Sequence, residues 1–331
     1  MDSLTQIALG SAVTVAVMGR RTAVWKAALW GAVAGTLPDL DAFIDHGNAI
    51  LNMTRHRAES HSLLYVTLAA PLLAWAVSRL HGEAALLRRW WLALWLALFT
   101  HPLLDAMTVY GTQLLQPFTD HPFAVGSIFI IDPLYTVPLI VGVALALRLK
   151  SQRGLRWNAA GLVLSTLYLG WSFGAQQQAT QVARASLEAQ GIAASGLLVT
   201  PAPFNTLLWR MVATTPTQYF EGHYSLLDDS PRIRWTAYER GAALMEQHGR
   251  EPSVARIAAF SQGFYRLSES GGRLFVTDLR MGQEPAYTFH FDLGTPAALD
   301  AGQHAPKRPD LATALPWLWQ RMWGKVEPAP H

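Results

Sequence analysis

The chain contains no cysteine. That removes disulfides, thiolate metal sites and cysteine nucleophiles, so any metal must be held by His, Asp, Glu or backbone oxygen. Charge is scarce too: Asp, Glu, Lys and Arg make up 15% of the 331 residues, against roughly 25% in ordinary soluble domains. The formal net charge of +3 is too small for a nucleic-acid binder, which needs a concentrated basic patch. There is no internal repeat and no low-complexity tract. The opening residues carry Asp2 and no cation, unlike the start of a cleavable signal peptide. The peptidase signature His-Glu-x-x-His is missing, and Ser60 and Ser62 have no triad context.

What is present is largely apolar: hydrophobic residues make up 51%, with 13 Trp. They gather in runs with almost no charge, at Ser3–Gly19, Thr22–Pro38, Ser62–Ser78, Trp90–Leu104, Ser127–Leu147 and Asn158–Ala183. Each approaches the roughly 17–25 residues needed to cross a bilayer, which predicts about six membrane helices. Arg20, Arg21, Lys26, Arg79, Arg88, Arg89, Arg148, Lys150, Arg153 and Arg156 cluster at alternate junctions. The positive-inside rule then puts both termini outside the cytoplasm. After about Ala183 the pattern changes. Thr206–Thr215, Gln218–Leu227, Gly263–Leu267, Arg273–Arg280 and Ala286–Leu293 alternate like half-buried strands, and Gly271-Gly272 signals a hairpin. Tyr238–His248 and Pro252–Phe260 read as short helices. The predicted fold is mainly α: a helical membrane domain over 1–175, a helical linker over 176–195, and a small extracytoplasmic α+β domain over 196–331. Leu315–Trp323, with three Trp and Arg321, reads either as an interfacial helix or as a helix packed on its own domain.

The chemistry-bearing residues fall at one end of these runs. Asp39 and Asp41 close the second, His56 and His61 precede the third, His101 and Asp105 end the fourth, and Asp132 opens the fifth. Ionisable groups at the edge of a span are costly and mark functional sites. His101 and Asp105, at i and i+4, share one helical face and can share one ion. Two imidazoles and two carboxylates suit zinc or manganese and leave a position for water. The candidate ligands are Asp41, His56, His61, His101 and Asp105. Asp39 alternates with Asp41 like a ligand on the turn after Pro38, and a carboxylate not fully used in ligation, such as Asp39, can assist as base; Arg55 and Arg57 are cations matched to phosphate oxygens. Asp132-Pro133 also reads as a helix start.

Three stretches carry a resemblance: Leu37-Pro38-Asp39-Leu40-Asp41, the His56-Arg57-x-x-x-His61-Ser62 stretch, and His101-x-x-x-Asp105 followed by Tyr110-Gly111-Thr112. Over about residues 1–150 the chain resembles the membrane-bound metal-dependent hydrolases of the YdjM/YbcI type, a family of bacterial inner membranes likened to zinc-dependent phospholipase C. The resemblance implies Asp41, His61, His101 and Asp105 as zinc ligands with Asp39 and His56 beside them, and phosphoester cleavage as the activity. Gln6 stands where relatives often carry a histidine. The expected function is a hydrolase acting on a phosphoester or lipid-like substrate at the outer membrane face, with membrane lipid as partner. Two competing readings are a regulatory or assembly protein with a closed structural metal site, and an ion-coupled transporter. The latter calls for polar groups near the bilayer midplane, whereas here they gather at one end.

Overall fold

The computed structural model of the chain describes residues 1–306 and 310–325; positions 307–309 and 326–331 of the expected C-terminal domain lie outside the described residues. In chain order the elements are α1 (Ser3–Met18), α2 (Val24–Thr36), α3 (Ala49–Arg55), α4 (Leu63–Leu80), α5 (Leu87–Ala106), α6 (Pro133–Leu149) and α7 (Gln152–Ala189). Then follow β1 (Gly196–Pro201), β2 (Leu208–Thr214), β3 (Gln218–Ser225), β4 (Thr236–Glu239), α8 (Ala242–His248) and α9 (Pro252–Phe260). Last come β5 (Tyr265–Ser270), β6 (Arg273–Gln283), β7 (Ala286–Thr295), β8 (Ala298–His304) and α10 (Leu311–Met322). The chain divides into two units, Met1–Ile44 with His56–Ser172, and Asp45–Arg55 with Phe173–His331.

The six-span membrane domain is not what the structure contains. Among the described residues one helix, α4, is long and apolar enough to cross a membrane. α1 and α6 are apolar but have 16 and 17 residues, and α2 has 13. At 1.5 Å per residue α2 reaches only about 20 Å, against a hydrocarbon core of about 30 Å. α5 and α7 are longer but too polar: α5 carries Arg88, Arg89, His101 and Asp105, and α7 runs through Gln176-Gln177-Gln178. The orientation and the external placement of the C-terminal domain, both read from six spans, lose their basis with them.

In the first unit Thr5, Gln6 and Ser11 of α1 are buried and bond to neighbouring helices. Ser11 donates to the carbonyl of Ala28 at 2.9 Å, and Asn158 of α7 donates to that of Ala12 at 2.9 Å. α1 and α2 cross at glycine. A Cβ on Gly31 would meet Thr14 Oγ at 1.8 Å, and one on Gly35 would meet the carbonyl oxygen of Gln6 at 2.4 Å. Only residues without side chains allow backbones this close. The crossing holds the end of α2 beside α5, whose Trp90, Leu94 and Leu98 fill the core with Val15, Met18 and Val77.

The second unit carries two four-stranded antiparallel meanders, β1-β2-β3-β4 and β5-β6-β7-β8. Gly271 and Gly272 turn β5 into β6 with positive φ at both, 57° and 70°, as a two-residue hairpin turn requires. The expected strands correspond to β2, β3, β5, β6 and β7, while β1, β4 and β8 had no alternating signature. Tyr238 belongs to β4, so the first expected helix shortens to α8, whereas α9 keeps the expected limits. Val212, Tyr219, Leu279 and Tyr287 form a core shared by the two sheets. Beside it Glu221 Oε1 accepts from Arg210 and from the Tyr287 hydroxyl, and Glu221 Oε2 accepts from the backbone N–H of Glu284 at 3.2 Å. The segment Asp45–Arg55, read from sequence as part of the membrane domain, packs α3 against α9 and β8 in this unit.

Candidate metal centre

Four side chains converge in the first unit. Asp39 sits on a short 3-10 helix, Pro38–Phe43, that follows α2; His61 ends a single 3-10 turn, Glu59–His61, just before α4. His101 and Asp105 lie one above the other on the last turns of α5. One ligand atom from each falls within 4.8 Å of every other. His61 Nε2 is 3.1 Å from His101 Nε2, 3.4 Å from Asp39 Oδ1 and 3.2 Å from Asp105 Oδ2. His101 Nε2 is 3.5 Å from Asp39 Oδ1 and 3.4 Å from Asp105 Oδ2. Donors about 2.0–2.1 Å from a tetrahedral zinc would be about 3.3 Å apart, so five of the six edges have the length such an ion imposes.

Protonation sharpens the point. His101 Nδ1 lies 2.7 Å from the carbonyl oxygen of Gly35, which can only accept, so Nδ1 carries a proton and the neutral tautomer leaves the lone pair on Nε2. His61 Nδ1 faces Ser60 Oγ at 2.8 Å and Asp41 Oδ2 at 3.5 Å. The outward nitrogens of both rings are thus bound to oxygen, the arrangement that orients histidines toward a metal. Asp105 Oδ2 is buried and makes no hydrogen bond, whereas Oδ1 accepts from Gln6 Nε2 at 3.1 Å and from the α-amino group of Met1. Lone pairs facing lone pairs in a buried space call for a cation or a proton. Without an ion a proton takes this place: burial disfavours the charged ring of His61, but its carboxylate neighbours Asp105, Asp39 and Asp41 prevail and raise its pKa to about 9. Burial also opposes ionisation of Asp39 and Asp41, yet their histidine neighbours hold both carboxyls well below the usual range.

The remaining expected site residues fall elsewhere. Asp41 is two positions from Asp39 on a 3-10 turn, and at about 120° per residue the two side chains cannot aim at one point. Asp41 instead binds the loop that carries His61. It accepts from the Arg57 backbone N–H at 2.9 Å and Ser60 Oγ at 2.5 Å, and bonds to His56 Nδ1 at 2.8 Å. His56 is thereby held outside the four-atom cluster, half-buried. Arg57 is not an open fork for phosphate. It is buried, with its Nε 3.4 Å from Asp105 Oδ2, its Nη1 donating to Thr108 Oγ at 3.2 Å, and its guanidinium 4.8 Å over the ring of Tyr110. Its φ of 65° turns the loop back toward the site. Arg55 ends α3, exposed, in the second unit. Asp132 caps α6, accepting from the backbone N–H groups of Leu134 and Tyr135 and from the Tyr168 hydroxyl. Ser60 and Gly35, the anchors of the two imidazoles, were not among the expected site residues; glycines at 10, 31 and 35 are the sequence signal that could have revealed the crossing.

The family model described as YdjM inner membrane protein matches residues 1–179, which span all four converging residues. The uncharacterized protein YfhP of Bacillus subtilis (strain 168) is 25% identical over 242 residues, covering 69% of each chain. No solved structure matches.

Proposed function

The chain belongs to the YdjM inner membrane protein family, and from that premise we propose that it is a metal-dependent hydrolase acting on a phosphoester or lipid-like substrate. Asp39, His61, His101 and Asp105 would hold one divalent ion, zinc in preference to manganese because two imidazoles and near-tetrahedral spacing favour it. When bound, such an ion supplies Lewis acidity to a water or a phosphoryl oxygen. The chain's own groups then do the rest. Ser60 and Asp41 fix the tautomer of His61, and Gly35 fixes that of His101. Gln6 and the α-amino group of Met1 hold Asp105 Oδ1, so that Oδ2 faces the cluster, with Arg57 Nε 3.4 Å from that oxygen. Asp39, 20% exposed, lies on the side open to water, where a carboxylate can take a proton from an attacking water. The observation that carries the reading is the set of five donor separations between 3.1 and 3.5 Å.

Four protein donors also suit a closed structural site, as in an assembly protein. Metal analysis of the purified chain, joined to hydrolysis assays with a phosphodiester and with phospholipid, separates the two. The hydrolase reading expects about one ion per chain and turnover that EDTA abolishes; stoichiometric metal without turnover on either substrate favours the structural site. Turnover undiminished in excess EDTA would remove the metal from the mechanism.

A further inference from the structure

We propose that α10 docks on a lipid bilayer through the face formed by Leu311, Leu315, Trp319 and Trp323. These residues recur at every fourth position, so at about 100° per residue the stripe winds through only about 120° of the helix surface. All four are exposed, Trp319 and Trp323 by 62% and 54%, with their rings edge to face at 5.7 Å. The opposite face is fixed to its own unit. Arg321 grips Asp228 with contacts of 2.6 and 2.7 Å and donates to the carbonyl of His223 at 3.0 Å. Ser225 Oγ donates to the carbonyl of Met322 at 2.6 Å, and Trp317 is buried with its ring 5.0 Å from His223. A helix that merely covered its own domain would bury its larger apolar residues. This one is held by an arginine and one tryptophan and leaves two indoles and two leucines outside.

Two observations select a bilayer as the occupant. The chain belongs to an inner-membrane family, so the lipid surface is at hand. The charge also matches: in sequence Lys307 and Arg308 precede the helix and Lys325 follows it. The one acid among them, Asp310, is engaged as the helix cap, accepting from the Ala312 N–H at 3.0 Å. An apolar stripe with indoles, followed by the exposed Lys325 and preceded in sequence by two further cations, fits the boundary between anionic headgroups and acyl chains.

The absence of cysteine makes the test direct. Trp319→Cys and Leu315→Cys each give one spin-label position in the full chain, and Glu269→Cys, exposed beside the β5–β6 turn, gives a water-facing reference. In nanodiscs of phosphatidylethanolamine and phosphatidylglycerol, labels at 319 and 315 are expected to collide more with oxygen than with a soluble nickel chelate, and the label at 269 the reverse. Nickel preference at 319 and 315 would overturn the proposal. Occlusion from both reagents would also overturn it, because a second copy or another protein would then cover the face. None of these outcomes depends on metal content or hydrolysis.

Discussion

Each unit buries a polar cluster, and the two are built on opposite logic. In the second unit Arg210, Glu221 and Tyr287 meet donor to acceptor: the guanidinium and the phenol both donate to one carboxylate, and although burial opposes the charge of Glu221, these partners hold its pKa below the usual value. Every short contact between them pairs a donor with an acceptor, although Arg210 Nε itself is buried without a hydrogen-bond partner among the described residues. In the first unit Asp39, His61, His101 and Asp105 meet acceptor to acceptor, with the ring protons turned away to Gly35 and to Ser60 and Asp41. One cluster is a structural bolt, and the other is a set of ligands arranged around a positive charge. Burial alone therefore does not mark a functional site. The direction of the protons does.

The comparison breaks most visibly if the ligands are dispensable. His101→Ala and Asp105→Ala should each abolish stoichiometric metal, read by elemental analysis of the purified variants; an unchanged ion content in both would dissolve the distinction between the clusters. Next in size is the bolt. Glu221→Ala leaves Arg210 buried without its counter-charge and should cost about 3–5 kcal/mol in urea unfolding, with metal content unaltered. Replacing both partners, Arg210→Met with Glu221→Leu, should recover most of that loss, and a double variant as unstable as the single one would contradict the account.

His223 gives the second unit a pH dependence. Burial pushes its pKa down to about 4 from the ordinary value near 6.5. The folded state then binds fewer protons than the unfolded chain between these values, so stability is complete above about pH 6.5 and falls as pH drops toward 4. The span is up to about 3 kcal/mol, and His223→Phe should flatten the urea midpoint across this window; an equal slope in the variant would assign it to another group. The smallest effect sharpens the first cluster. Ser60→Ala removes an outward partner of His61 and should weaken zinc binding by about 10–100-fold, measured by competition with a chelating dye, while the four donors remain.

Much of the candidate site was legible because helix geometry is rigid. His101 and Asp105 at i and i+4 point one way on any α-helix, and Pro38 followed by Asp39 marks a turn at the end of α2. The roles of Asp41 and His56 were not legible. Both lie in short turns where one residue of rotation redirects a side chain, and Asp41 is drawn off by the Arg57 backbone and Ser60. Arg57 looked like a free cation for the same reason, since nothing local reveals that Asp105 and Thr108, about fifty positions away, enclose it.

The fold divides along a similar line. By itself the sequence determined the apolar helices, the alternating strands, the Gly271-Gly272 turn and the metal-seeking chemistry of a chain without thiols, because these follow from local periodicity and side-chain type. Only the tertiary structure decided that, among the described residues, α4 alone is long and apolar enough to cross a bilayer, that Asp45–Arg55 packs with the second unit, and which oxygens and nitrogens face one another. Those outcomes depend on where helices stop and how closely glycine lets α1 and α2 approach, and they are set by contacts between residues distant in the chain.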